Sequence, residues 1–307
     1  PRAGHGAAQA EALAHMFFAP AIGHWAGFAT HPPLAERIWR AHPRFHRDDY
    51  RARRHGRREE VAVLDGAGNV VKHARTADLV ATVGRPQPLH LDCGRRLLER
   101  LPERVRAALH APREAEQLLL DIEREVAALG QEHFLALVEL ALPALKAQPQ
   151  GERDRFLAEL AARVAQDGRI TRREFVLLTF LRQHLREGAG QPIPARYRRV
   201  AEIGEEARAV LSLVAAASGT AAPAAFARGA ALLELDGAPL APEALAAGAI
   251  AQSLERLRHL APLAKPAVLK ACLAVAQADG ALSTAEGELV RMVAATLDCP
   301  MPPLLGR

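Results

Sequence analysis

The chain has 307 residues, of which 50% are hydrophobic, 24% charged and only 4% aromatic, with a formal net charge of +5. That length supports two or more packed domains, and the balance is that of an ordinary globular protein rather than a disordered one. No apolar run reaches the roughly 18 residues of a membrane span, and the opening Pro1–Gln9 has no apolar core of the signal-peptide kind.

Ala and Leu dominate the apolar share, whereas Val and Ile are sparse. Straight-chain and small side chains lose little on entering a helix, so an all-α fold is expected and a large sheet is not. The positive charge is carried by Arg, since Lys occurs only at Lys72, Lys146, Lys265 and Lys270. Heavy joint use of Ala and Arg reads as a compositional bias, which weakens any case that each Arg serves a partner. Cys93, Cys272 and Cys299 form no Cys-x-x-Cys pair, so no zinc ribbon is indicated and a reducing compartment fits.

In chain order, residues 1–46 begin with a helical patch over Glu11–Phe18 and a Gly-containing break. "FATHPPLAERI" (Phe28–Ile38) follows. Pro32 and Pro33 exclude helix before them and suit a helix start after them; Leu34, Ile38 and Trp39 then share a face, with Glu36 in the first turn where a carboxylate favours the dipole. Residues 47–88 read as an exposed basic linker. Arg40–Arg58 carries eight arginines, with Arg51, Arg53, Arg54, Arg57 and Arg58 as the contacts an anionic surface would meet. Asp48, Asp49, Glu59 and Glu60 dilute the run, and only Phe45 and Tyr50 could stack on bases, so nucleic acid is not the expected partner and a solvated linker is the plainer reading. Two short apolar runs around Asp65-Gly66 predict a β-hairpin, and "GRPQP" (Gly84–Pro88) a hinge.

Two helical modules are expected, over 89–190 and 191–307, divided near "GAGQPIP" (Gly188–Pro194). In the first, Ala115, Leu118, Leu119, Ile122, Val126 and Leu129 keep one face over four turns. Phe134, Leu137, Val138 and Ala141 do so up to Pro143, and Phe156, Leu157, Leu160, Ala161 and Val164 make a third stripe.

An internal repeat lies within these helices. "VAQDGRITRREFVLL" (Val164–Leu178) matches "AQADGALSTAEGELV" (Ala276–Val290), aligning Asp167 with Asp279, Thr171 with Ser283 and Glu174 with Glu286. Gly168 and Gly280 can take the left-handed conformation that ends a helix. Thr171 and Ser283 can cap the next helix, and Glu174 and Glu286 can close capping boxes. Ile170 and Leu282 are then expected to point into the core. A third Asp-Gly, at Asp236-Gly237 with Glu243, lacks the capping hydroxyl and is set aside. The duplicated corner resembles the TerB-like family of all-helical domains. That resemblance makes Asp167, Glu174, Asp279 and Glu286 candidate metal ligands. Capping is the preferred reading, because hard cations want six or more oxygens and each corner supplies few.

"MFFA" (Met16–Ala19), the Thr-His-Pro-Pro-Leu-x-Glu-Arg-Ile motif, "HPRF" from His42, and the terminal Cys-Pro-Met-Pro-Pro-Leu-Leu (Cys299–Leu305) together resemble the C-terminal portion of HtpX-like membrane zinc metallopeptidases, in the bacterial branch with a helical extension. The resemblance covers nearly the whole chain. It implies a zinc enzyme on the cytoplasmic side of the bacterial inner membrane, with an upstream membrane-embedded protease domain as this region's partner, and with a protein substrate or a regulator as a further partner. It also places His31 and Arg37 beside the family's cleft, His31 as a polar contact to substrate or as the lead-in to a docking helix, Arg37 as an ion-pair residue. The catalytic His-Glu-x-x-His is missing. "HPRFH" (His42–His46) has the histidine spacing, but Pro43 occupies the general-base position and would break the helix. The chain is therefore expected to be non-catalytic, to hold no cofactor of its own, and, lacking an initiator Met, to be a piece of a longer protein.

Overall fold

A computed structural model describes residues 60–64, 70–75, 83, 98–99, 101–166, 168–191, 193–219, 222–299 and 301. His31, Arg37, the basic run through Arg51, Arg53, Arg54, Arg57 and Arg58, the Gly84–Pro88 hinge, and Asp167 lie outside the described residues.

Strands β1 (Glu60–Leu64) and β2 (Val70–Arg75) pair antiparallel, Ala62 opposite His73 and Val63 opposite Lys72. These are the two apolar runs around Asp65-Gly66, and the predicted hairpin is present. Among the described residues eleven α-helices follow. The first six are α1 (Glu103–Ala108), α2 (Pro112–Leu120), α3 (Ile122–Leu129), α4 (Phe134–Lys146), α5 (Gln150–Val164) and α6 (Arg172–Leu185). The rest are α7 (Gly204–Ala216), α8 (Ala222–Leu232), α9 (Ala247–Arg258), α10 (Lys265–Ala276) and α11 (Thr284–Thr296). The all-α expectation holds: among the described residues only the hairpin and the two-residue β3 (Ala281–Leu282) are strand.

Helix α4 is apolar on nearly every side, with Phe134, Leu137, Val138 and Ala141 fully enclosed, and it is the pillar of the first half. Helices α2 and α6 pack on it, and α5 packs on α6. In the second half α7 packs on α8, α9 and α10. Helices α6 and α11 pack on each other, so one apolar core runs through both halves. Gly229 on α8 shows how close the second-half helices come. A Cβ there would clash with the Val275 side chain and lie 2.9 Å from the Ala271 carbonyl oxygen, both on α10.

Three details differ from the sequence reading. The stripe from Ala115 to Leu129 is divided between α2 and α3 at Asp121, whose carboxylate accepts from Gln117 (2.7 Å), Arg124 (3.3 Å) and Arg163 (3.2 Å). Short acidic side chains favour such local breaks over helix interior. Helix α4 continues through Pro143 to Lys146: the proline forfeits one N–H bond near the helix end, and the burial of Leu142, Ala144 and Leu145 holds the last turn in place. Ile170 is 48% exposed, whereas Leu282 is buried. Leu282 belongs to β3, which pairs parallel with β1 (Ala62 with Ala281, Val63 with Leu282), so the hairpin is stitched to the second corner. Among the described residues no strand covers the first corner.

Candidate functional site

The two repeated corners are the first candidates. Gly168 (φ +71°) and Gly280 (φ +84°) both adopt the left-handed conformation. In the first corner the Thr171 N–H donates to Glu174 Oε2 at 2.8 Å, and the Glu174 N–H donates back to Thr171 Oγ1 at 3.2 Å. In the second, the Ser283 N–H donates to Glu286 Oε2 at 2.9 Å and the Glu286 N–H to Ser283 Oγ at 3.3 Å. Both are complete capping boxes. Glu286 is buried, and its other oxygen accepts from Ser218 Oγ at 2.7 Å, which fastens the corner to the end of α7. Asp279 Oδ1 accepts from the Ala281 N–H at 2.9 Å. Glu174, Asp279 and Glu286 thus each serve backbone groups of their own turn.

These bonds set expected effects. Thr171→Ala should cost about 1 kcal/mol and Ser283→Ala nearer 2 kcal/mol, because the Ser283 hydroxyl also donates to the buried Glu286 Oε2 at 2.8 Å and its loss leaves that carboxylate short of a donor. Gly168→Val should cost more than Thr171→Ala, because a β-branched residue is strained at positive φ. Urea midpoints unchanged in all three would contradict the capping geometry.

A buried polar network joins the two halves. The Arg173 guanidinium donates to Glu288 Oε1 at 2.9 Å and to the Gln131 carbonyl at 3.3 Å, and lies 4.8 Å from the centre of the Phe134 ring. Burial pushes the Glu288 carboxyl up, and Arg173 opposes that shift. One turn further along α11, Arg291 pairs with Glu139 of α4. Glu139, Glu288 and Arg291 are buried, so these pairs are structural.

The third constellation had no signal in the sequence. Arg186 follows α6 as its C-cap, Arg258 ends α9 and Lys265 begins α10. Backbone bonds hold the segment after α6 against the α9–α10 connection. Arg196 N–H donates to the His259 carbonyl (2.8 Å) and Ala261 N–H to the Tyr197 carbonyl (2.8 Å), with Tyr197 bridged to Leu260. Gln183 donates to Asp298 at 3.3 Å and brings the end of α11 to the same place. Arg258 and Lys265 are 7% and 8% exposed. Arg258 pairs with Glu255 through Nη1, but its Nε is buried without a hydrogen-bond partner, as are Nε and Nη2 of Arg186.

The electrostatics follow from this crowding. Burial lowers the Arg186 pKa, and the Arg258 charge lowers it further, against Asp298 and Glu255. Burial likewise depresses Lys265; Asp298 opposes the shift, and Arg258 and Arg186 add to it. Burial raises the Cys299 thiol, with Lys265 and Lys270 acting the other way. His184 is pushed down to about 3, by burial first and then by Lys146 and Arg186. Arginine is so common in this chain that these positions carry no local mark.

Among the described residues no three His, Cys, Asp or Glu side chains group as a metal site, and no helix is long and apolar enough to cross a membrane. No protein-family model, curated protein or solved structure matches the chain.

Proposed function

We propose that this chain is a non-catalytic accessory region of an HtpX-like zinc metallopeptidase, a helical body that holds or regulates an upstream membrane-embedded protease domain on the cytoplasmic side of the membrane. The motifs at Thr30–Ile38 and Cys299–Leu305 support the family. The observation that carries the docking role is the parallel pairing of β1 with β3. It ties the segment leading in from the protease-like tail to a corner whose Glu286 caps α11 and also accepts from Ser218 at the end of α7. A force or contact arriving through that segment therefore reaches the helical core and not a loose tether.

The residues present do not fit a catalytic zinc. The sequence has no His-Glu-x-x-His, and "HPRFH" has Pro43 where the general base would stand. Zinc in this reading belongs to the upstream domain. Metal at the repeated corners is the weaker alternative, because both oxygens of Glu286 already accept hydrogen bonds.

The purified chain should show no peptidase activity on an unstructured protein, with or without zinc. Chelator-sensitive cleavage that His42→Ala or His46→Ala removes would defeat this. The docking role is tested in the intact membrane enzyme with Val63→Pro, which breaks the β1 ladder. Its cleavage rate should change while the melting of the helical body stays close to wild type. An unchanged rate would count against docking through the hairpin.

A further inference from the structure

We propose that the β1–β2 hairpin is a releasable latch, which detaches from the second repeated corner while the helical body stays folded. The use of the latch, to couple or uncouple an upstream domain, rests on the docking reading above; the detachment itself does not.

The hairpin is held unevenly. Its own strands are registered antiparallel from Glu60 opposite Arg75 to Leu64 opposite Val70. Its pairing with the body covers only Ala62 with Ala281 and Val63 with Leu282, in the parallel arrangement that is slightly less stable per residue. Among the described residues β3 is also the hairpin's main contact with the body. The seam between β1 and β3 is therefore the weak one. A two-stranded hairpin is at best marginally stable alone, so opening that seam also loosens β1 from β2, and the latch is either docked or undone.

The corner beneath does not need the latch, and the first corner is the internal control. Gly168 and Gly280 have φ of +71° and +84°, and Thr171 and Ser283 have φ of −70° and −75° with ψ 158° in both. Both capping boxes are complete. The first corner keeps this geometry with Ile170 48% exposed and with no strand over it among the described residues. The second corner has fastenings of its own that do not pass through β1: Glu286 accepts from Ser218, and Asp279 from the Ala281 N–H. Release therefore bares Leu282 and leaves α10, α11 and the turn between them in place. It is a local opening that costs less than global unfolding, because few contacts are given up.

Thiol labelling in a Cys93→Ser background tests the latch, since Cys272 and Cys299 are buried. Ile170→Cys should react at once. Leu282→Cys should react more slowly, through opening, yet at least about a hundredfold faster than Cys272, which waits for global unfolding. Adding Val63→Pro should bring Leu282→Cys within about threefold of Ile170→Cys and leave the melting of the helical body unchanged. Hydrogen exchange of the unsubstituted chain gives a second readout that holds even if Leu282→Cys disturbs the corner. The hairpin amides should exchange at a rate insensitive to low urea, and those of Leu273 and Val290 only through global unfolding. Leu282→Cys reacting no faster than Cys272, hairpin amides as protected as Leu273, or a helical body that melts earlier with Val63→Pro would overturn the latch. A latch that opens as described, together with an unchanged cleavage rate for Val63→Pro in the intact enzyme, would defeat the docking reading alone.

Discussion

Arg291→Ala should destabilise the fold by about 3–5 kcal/mol, the range for removing one member of a buried ion pair. Arg291 and Glu139 are 7% and 8% exposed, and Glu139 keeps a second buried oxygen without a hydrogen-bond partner. Truncating the arginine therefore strands a carboxylate between α4 and α11. The cost is desolvation of that charge, so it should shrink when both partners are made apolar. Glu139→Leu combined with Arg291→Met is expected to recover most of the loss, because the pair's mutual attraction largely offsets the cost of burying it. Urea denaturation followed by far-UV circular dichroism measures both. A midpoint for Arg291→Ala equal to that of wild type would mean water reaches Glu139 and the pair is not buried as described. The pair joins helices on either side of the boundary expected near residue 190, so its loss should lower the stability of both halves in one transition.

What the sequence disclosed is what depends on near neighbours. A capping box is an i to i+3 relation, so Thr171 with Glu174 and Ser283 with Glu286 are readable from the sequence and recur in the structure. Left-handed Gly168 and Gly280 follow from the same local logic. The hairpin was legible because its strands flank an Asp-Gly turn signal. The exposure of Ile170 was not legible, since it depends on what another segment brings to that corner. Leu282 has the same local setting and is buried beside β1, whereas Ile170 is half exposed. A two-residue strand such as β3 is too short to carry a periodicity, and nothing in Ala281–Leu282 announces a parallel partner far upstream. Arg186, Arg258 and Lys265 are distant in sequence and meet only because the ends of α6, α9 and α10 converge. Their unmet donors become visible only once every neighbouring acceptor has been placed.

His184 should make the protein acid-labile well above the pH at which its carboxylates titrate. Its ring packs 4.5 Å from Phe180, and its pKa is pushed down to about 3 from 6.5, through burial and then the charges of Lys146 and Arg186. The folded state favours the neutral ring, while the unfolded chain binds a proton near pH 6.5. Stability from this group is therefore fully present above pH 6.5 and is lost as pH falls from there toward 3. Between pH 7 and pH 5 the loss should be about 1–2 kcal/mol, allowing for the ring's partial contact with water. Glu288 works in the opposite sense: its raised pKa favours the fold as pH falls, so it masks part of the His184 effect and cannot cause it. His184→Gln removes the titration and keeps a polar side chain at the position. Its stability should be lower than wild type at pH 7.5, where it disturbs the packing on Phe180, yet it should fall less between pH 7 and pH 5. Parallel pH profiles for the two proteins over that interval would show that the ring is already solvated in the fold.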